Sequence, residues 1–429
     1  MSFSQALSGL NAQKDKLGAI GNNISNSQTV GFKGSNVQFA DVFANSRIGL
    51  GTQVSSVLQN FNEGNVESTN RNLDLAVSGQ GFFRYQGEGG EVLYSRNGQL
   101  SMTAEGDLIN AQGAQIMGYG LNAAGEVQAG GQPEPLNVSA EELAASATTD
   151  ASMTLNLDSR EQPGDELSSS TALTDMADPT SEETIDYHYS NNFSVYDSLG
   201  NARNVTVYYE KVDANRWNAK VTMDGHYDDA NDFSVEFNSN GSIDQVYDDL
   251  DGADGTGTPI AVEDLTIDVA SDDSTPLGGE PNALGFTLNL AGSSQFGNTS
   301  NTGDLNQNGY TSGTMVGISI EDDGTIMRNY SNEESRPAGQ IALVNFRNEE
   351  GLVPAGDNAW TASAESGPEL VGEPGTGVFG NVVSGAVETS NVDMARELVD
   401  MIVAQRAYQA NSQTIQTQDE LLQTAINLR

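Results

Sequence analysis

The two ends of the chain carry a hydrophobic rhythm that the middle lacks. Phe3, Leu10, Leu17 and Ile24 recur every seven residues, and Leu7 fills the intermediate position once. Near the other end Met394, Met401, Tyr408, Ile415 and Leu422 recur at the same interval of seven, flanked by Leu398 and Ile426. A sustained seven-residue repeat predicts helices that wrap around one another. The pattern predicts one helix over 1–27 and a long one near the C-terminus. Ser390 or Asn391 can cap the second, and Asp393 sits well for the helix dipole.

Neither end is a good helix alone. Gly9, Gly18 and Gly21 each cost about 1 kcal/mol relative to Ala in a helix interior. The intermediate seam positions include Lys14, Gly21, Gln405 and Ser412, and the other faces are mostly Ser, Asn, Gln and Ala. Uncharged polar faces suit close contact with neighbouring chains better than bulk water. The expected partner of the last helix is the first, since closing so long a loop adds entropy cost only slowly. A narrow, glycine-interrupted pair buries too little apolar surface to stand alone, which points to packing against further copies.

Between the ends, alternation and turn residues predict antiparallel β structure. "EVLYSRNGQLSMT" places Asn97-Gly98 between two alternating runs, a strong hairpin signal. "VGISIEDDGTIMRNY" repeats the design around Asp323-Gly324. Three strands are expected from Phe193, Val205 and Trp217, and "LDLAVSGQGFFRY" alternates before a hairpin turn at Gly79 and Gly81. Long helices do not alternate with strands, which disfavours a parallel α/β sheet.

Charge sharpens this division. The 429-residue chain carries 18 basic against 60 acidic residues, a net charge of −42. That argues against nucleic acid or an anionic membrane as a partner. Most of the excess falls at about 146–297, which reads as a solvated, outward-facing β domain. Without cysteine, disulfides and thiolate chemistry are excluded. No apolar run is long enough to span a bilayer. "MSFSQALSGLNAQK" lacks a basic n-region and an apolar h-region, so no cleaved secretory signal is expected.

Candidate chemistry is sparse, and no catalytic, cofactor-binding or metal site is expected. His188 and His226 are the only histidines, each in an acidic, tyrosine-containing β segment with no partner motif. "DDLDGADGTGTPIAVED" begins with the alternating Asp249 and Asp251 of a calcium loop, but Ala253 and Asp254 replace the third ligand and the glycine. The chain has no P-loop, dinucleotide fingerprint or nucleophile elbow. Trp217 and Trp360 read as core residues of β domains.

With these elements in place, "SGLNAQKDKLGAIGNNISNSQTVGFKGS" resembles the N-terminal signature of the bacterial flagellar axial rod/hook family. The match includes Asn22, Asn23, Asn26, Gly31, Phe32 and Lys33. "GAVETSNVDMARELVDMIVAQRAYQANSQTIQTQDELLQTAINLR" is similar to the C-terminal signature, with Ser390, Asn391, Gln405 and Arg406. "LDLAVSGQGFF" and "YSRNGQLSMTAEGDLINAQGAQIMGYG" resemble the family's first β domain, and "FSVYDSLGNARNVTVYY" its outer domain.

The resemblance implies a non-enzymatic subunit that self-assembles into the hook, a flexible tube passing torque from rod to filament. It implies a multidomain α+β fold, with terminal helices paired N with C as a coiled coil and nested antiparallel β domains between them. The expected parts are 1–30 with 385–429 as an inner-tube helical domain, then 31–71 as an extended linker or hairpin. An inner β domain is expected over 72–145 with 298–384, and an inserted acidic outer domain over 146–297. Phe3, Leu7, Leu10, Leu17 and Ile24 would line the seam against Met394, Leu398, Met401, Tyr408, Ile415 and Leu422. Implied partners are other copies, the distal-rod, hook-cap and hook–filament junction proteins, and the flagellar type III export apparatus, with an extracellular location. The alternatives are a distal-rod subunit, which lacks the inserted module, and a secreted β-rich adhesin or carbohydrate-binding protein.

Overall fold

The computed structural model describes residues 3–42, 50–164, 169–175, 180–250, 257–269 and 284–427. They form two compact units. One comprises Met1–Ala140, Val316–Asn329 and Ser335–Arg429; the other comprises Glu141–Met315 and Tyr330–Glu334. The calcium-loop positions Asp251, Ala253 and Asp254 lie outside the described residues, as does the Ile426 side chain.

The first unit holds both helices, α1 (Phe3–Ser25) and α2 (Met394–Asn427). The cap of α2 differs from expectation. Asp393 Oδ1 accepts from the Ala395 and Arg396 amides at 3.0 and 3.2 Å, so Asp393 is the N-cap. Asn391 is drawn elsewhere, and the Ser390 hydroxyl accepts only from Val392 N. The segment after α1 forms an antiparallel ribbon, Ser35–Val42 with Gly51–Gln59, bulged between Gln38 and Phe39.

Early and late parts of the chain pair in this unit. Strand Val66–Ser68 is antiparallel to Ala386–Glu388, and Asp74–Ser78 to Asn381–Ser384. An aromatic core of Phe61, Phe82, Tyr94, Phe346 and Trp360 packs edge to face, and Trp360 Nε1 donates to Gln59 Oε1 at 2.7 Å.

Two expected hairpins do not form. Strand Val92–Ser95 pairs with Phe82–Gln86, whereas Gly98–Gln99 pairs with Asp74–Ser78, so Asn97-Gly98 links two different sheets. Gly98 is not in the left-handed conformation that a two-residue hairpin needs. It is required because a Cβ there would lie 2.2 Å from the Leu75 carbonyl oxygen. Likewise, strands Asp74–Ser78 and Phe82–Gln86 on either side of Gly79 and Gly81 belong to different sheets. Asp74–Val77 is buried on both faces, which overrides the alternation expected there. The turn at Asp323-Gly324 does join paired strands, with Gly324 at φ +80°.

The second unit has a nine-stranded and a five-stranded sheet among the described residues. The expected three strands appear as Tyr189–Tyr196, Ala202–Asp213 and Arg216–Met223, an antiparallel meander. Trp217, Phe233 and Val205 from one sheet meet Leu155, Phe286 and Leu288 from the other in one apolar core. The sheets are not purely antiparallel: Asp150–Asp158 runs parallel to Leu284–Asn289 and Ser294–Phe296. The long excursion between these strands supplies the crossover that parallel pairing needs. Strand Asn301–Gln307, expected in the inner β domain, belongs here instead. It pairs antiparallel with Asp150–Asp158, zipping the outgoing chain to the incoming one.

Candidate functional site

The helices α1 and α2 lie antiparallel. Asn23 Nδ2 donates to Glu397 Oε1 at 3.1 Å, and about four turns away a Cβ on Gly9 would lie 2.9 Å from Asn411 Nδ2. At Gly9 the absence of a side chain makes this approach close. The buried residues of α1 are Ala6, Ala12, Ile20 and Asn23, and α2 contributes Ala404. Helix α1 also touches the ribbon, where Ser8 Oγ accepts from Thr52 N at 3.3 Å.

The heptad residues are not the buried ones. Phe3 and Leu7 are exposed (52% and 42%), and Leu10, Leu17 and Ile24 are half-buried. At roughly 100° of rotation per residue, their stripe is turned about a quarter-circle from the buried one. On α2, Met394, Leu398 and Leu422 are exposed, Met401, Tyr408 and Ile415 are half-buried, and Gln405 and Arg406 face solvent. Burial on α1 thus falls beside the heptad stripe, and much of the expected seam stays open or half-open within one chain.

The sequence reading missed a larger patch. Val399, Ile402 and Val403 are 60%, 51% and 55% exposed, beside Leu398. With Met394 and Met401 they make the start of α2 apolar on several faces. An isolated helix in water does not favour that arrangement; a helix enclosed by others does. The run "LVDMIVAQ" was the available signal, but its valines and isoleucine fall off the seven-residue register.

Most motif residues, Gln405 and Arg406 excepted, converge where α1 ends and α2 begins. Gly31, at φ +68°, turns the chain so tightly that a Cβ would meet Asn97 N at 2.7 Å. Its amide donates to the Glu388 carbonyl at 2.7 Å. Two residues on, Lys33 Nζ contacts Glu388 Oε1 at 2.6 Å and donates to the Asn62 carbonyl at 2.8 Å. The other Glu388 oxygen lies 3.4 Å from Arg96 Nη1, and Gly64 N donates to Oε1 at 2.8 Å. All three charged side chains are buried. Burial pulls the Lys33 ammonium below the ordinary lysine range, against the opposing pull of Glu388. Neither Arg96 nor Glu388 was singled out from sequence, because nothing local marks either as the partner of Lys33.

Amide side chains complete the junction. Asn23 Oδ1 accepts from Ser35 N and its Nδ2 donates to Ser35 O, both at 2.9 Å, holding the ribbon's first residue. Asn391 Oδ1 accepts from Gly34 N at 2.9 Å, while its Nδ2 donates to the Asn60 and Asn62 carbonyls. The Phe32 carbonyl accepts from Asn391 N. Asn26 Nδ2 donates to the Asn22 carbonyl and side chain, folding over the end of α1. Amides suit these places because each side chain offers both a donor and an acceptor, as Asn23 and Asn391 use here toward backbone groups.

The histidines take structural places. His188 Nδ1 accepts from Lys211 N at 3.0 Å and the ring lies edge-on to Trp217. His226 Nδ1 is buried without a hydrogen-bond partner. Among the described residues no cluster of His, Asp and Glu could hold a metal ion.

Comparison with known proteins follows the same division. Residues 4–33 match the flagella basal body rod protein family and 383–428 the C-terminal family of the basal body rod FlgEFG proteins. Residues 76–151 match the D1 domain of the flagellar hook protein FlgE/F/G family, and 156–310 the D2 domain of the flagellar basal body protein FlaE. The flagellar hook protein FlgE of Escherichia coli K12 is 42% identical, with all of both chains covered. The chain belongs to the flagellar hook protein family. Its hook-protein relatives include that of Borreliella burgdorferi, 31% identical over all of this chain and 99% of the other. The crystal structure of a Helicobacter pylori hook protein, FlgE2, shares the fold at a TM-score of 0.51 and 13% identity, covering 75% of this chain and all of that one. As a member of this family the chain is a structural component of the bacterial flagellum.

Proposed function

We propose that the chain polymerises through its terminal helices into the hook, a flexible tube that passes torque from rod to filament. The observation that carries this reading is the apolar surface left open on both helices: Phe3 and Leu7 on α1, and Leu398, Val399, Ile402 and Val403 on α2. Burying such surface is worth about 25 cal/mol per Å². The two stripes differ, so contact between them on successive copies is heterologous. Contacts of that kind propagate into an open helical polymer rather than closing a dimer.

In this reading the helical pair, 1–30 with 385–429, forms the inner tube as a coiled coil completed by neighbouring copies. The ribbon within 31–71 and the inner β domain form the next layer, and the inserted unit the outermost. The seam residues act between copies, and the motif around Gly31, Lys33 and Asn391 sets the path of the chain out of and into the tube. The partners are further copies, the distal-rod, hook-cap and junction proteins, and the type III export apparatus. The chain leaves the cell by that apparatus without a cleaved signal and works outside it. The inserted segment matching a D2 domain favours hook over rod.

Electron microscopy under polymerising conditions tests this. The unaltered chain should form curved tubes, and Val399→Asp with Ile402→Asp should form none while its near-ultraviolet circular dichroism stays unchanged. Normal tubes from the double variant would overturn the helix-mediated assembly, and straight, stiff tubes from the unaltered chain would favour the rod.

A further inference from the structure

The two helices differ in length, and the longer one outruns its partner. Two contacts fix their antiparallel register, Asn23 with Glu397 and Gly9 with Asn411. The same number of residues separates these contacts on each helix, which sets Lys14 level with Arg406 and Phe3 level with Thr417. Helix α2 continues to Asn427. About ten of its residues, roughly 15 Å of helix, thus run on past Phe3, the first described residue of α1. Leu421 and Leu422 in this overhang are 64% and 60% exposed. Leu422, about three turns on from Asn411 and on the same side of α2, has no described residue of α1 at its level.

Charge divides along the same axis. The described cations of the two helices are Lys14 and Lys16 on α1 and Arg396 and Arg406 on α2, and all fall at the levels of 396–406. The acids at those levels are Asp15, Glu397 and Asp400, and Glu397 already accepts from Asn23. The overhang carries Asp419 and Glu420, with no cation beside them among the described residues; Arg429 lies outside those residues. Among the described residues none of the four cations, nor Asp419 or Glu420, enters an ion pair.

The start of α2 offers the matching surface. Arg396, Val399, Ile402, Val403 and Arg406 recur at steps of three and four residues, so they share one side of the helix. That side is an open apolar stripe with an arginine at each end. It lies about 20 residues, roughly 30 Å, from the overhang along the same helix, so one chain cannot fold the overhang onto it.

We propose that the overhang of α2 in one copy docks on the stripe Arg396–Arg406 of a second copy. Leu421 and Leu422 cover Val399, Ile402 and Val403, while Asp419 and Glu420 meet the arginines. This rests on the reading that the terminal helices polymerise, and it adds which surface of one copy covers which surface of the next. Exposed ion pairs are each worth little, so the leucines supply most of the affinity and the charges set the orientation. Because the two surfaces sit at opposite ends of α2, the contact runs head to tail and leaves a free overhang and a free stripe for further copies.

The full-length chain has no cysteine, so introduced thiols report this contact cleanly. Leu421→Cys and Val399→Cys chains, mixed under polymerising conditions and oxidised, should give disulfide-linked dimers containing one of each. Arg396→Glu with Arg406→Glu should raise the protein concentration needed for tubes about tenfold, as should Asp419→Arg with Glu420→Arg. All four changes together should bring it back towards that of the unaltered chain. Absence of the mixed cross-link, together with charge reversals that leave tube formation unchanged, would overturn the docking. If Val399→Asp with Ile402→Asp still abolished tubes in that case, the helix-mediated assembly would stand without it; if that variant also assembled normally, both would fall.

Discussion

The two units differ in what they leave exposed. Between its two sheets the second packs one apolar cluster, from Leu155 and Phe286 to Trp217 and Val246, with Lys211, Asp232 and Gln295 also buried in that unit. The first unit encloses an ion triad and a lattice of asparagines, and leaves large apolar residues of both helices in water. A sandwich that fills its own interior is complete as a single chain. A helical pair with Val399 and Ile402 outside leaves apolar surface that the proposed assembly would cover. The buried triad fits that difference. Ionic groups in an interior add little net stability over apolar ones, but they penalise any other arrangement of the segments that carry them. Glu388 ties the exit of α1, the approach to α2 and the strand before Arg96 to one geometry.

That contrast can be broken by substitutions that act in one unit and not the other. The largest effect is expected in the second unit. Trp217→Ala removes a fully buried ring and strands Gln295 Oε1, which its indole N–H reaches at 2.6 Å. It should destabilise that unit by about 3–5 kcal/mol. Urea unfolding followed by hydrogen exchange in each unit checks this, with the amides of Leu75–Val77 serving as the unaffected reference. Next, Glu388→Gln leaves Lys33 and Arg96 as buried cations without a counter-charge. It should cost the first unit about 3 kcal/mol and spare the amides around Val205. A change below about 1 kcal/mol would mean that the triad does not fix the junction. The smallest effect is expected from Asp393→Ala, which removes the cap of α2 at a cost of about 1 kcal/mol. It should show as increased exchange at Ala395 and Arg396 alone.

Much of this could be read from spacing and turn chemistry. The helices at the two ends, the meander through Val205 and Trp217, and the turn at Gly324 each rest on a local signal. The failures have a common physical cause. Asn97-Gly98 reads as a hairpin, yet the glycine is needed because Leu75 approaches it from a strand distant in sequence. The alternation around Leu75 was overridden because neighbours cover both faces of that strand. Val399, Ile402 and Val403 were passed over because they fall outside the heptad, although they form the more exposed patch.

The sequence by itself determined the helical ends and their seven-residue stripe, the β character of the middle, the turn at Gly324 and the strand path through Val205 and Trp217, since these depend on neighbours a few positions away. Only the tertiary structure decided that Ala6, Ala12, Ile20 and Asn23, off the heptad, are the buried residues of α1. It alone paired Asn301–Gln307 with Asp150–Asp158 and brought Lys33 and Arg96 to Glu388. Those outcomes depend on which distant segments arrive together and what each can still satisfy there. Long-range competition for buried hydrogen bonds and volume leaves no periodic trace in the chain.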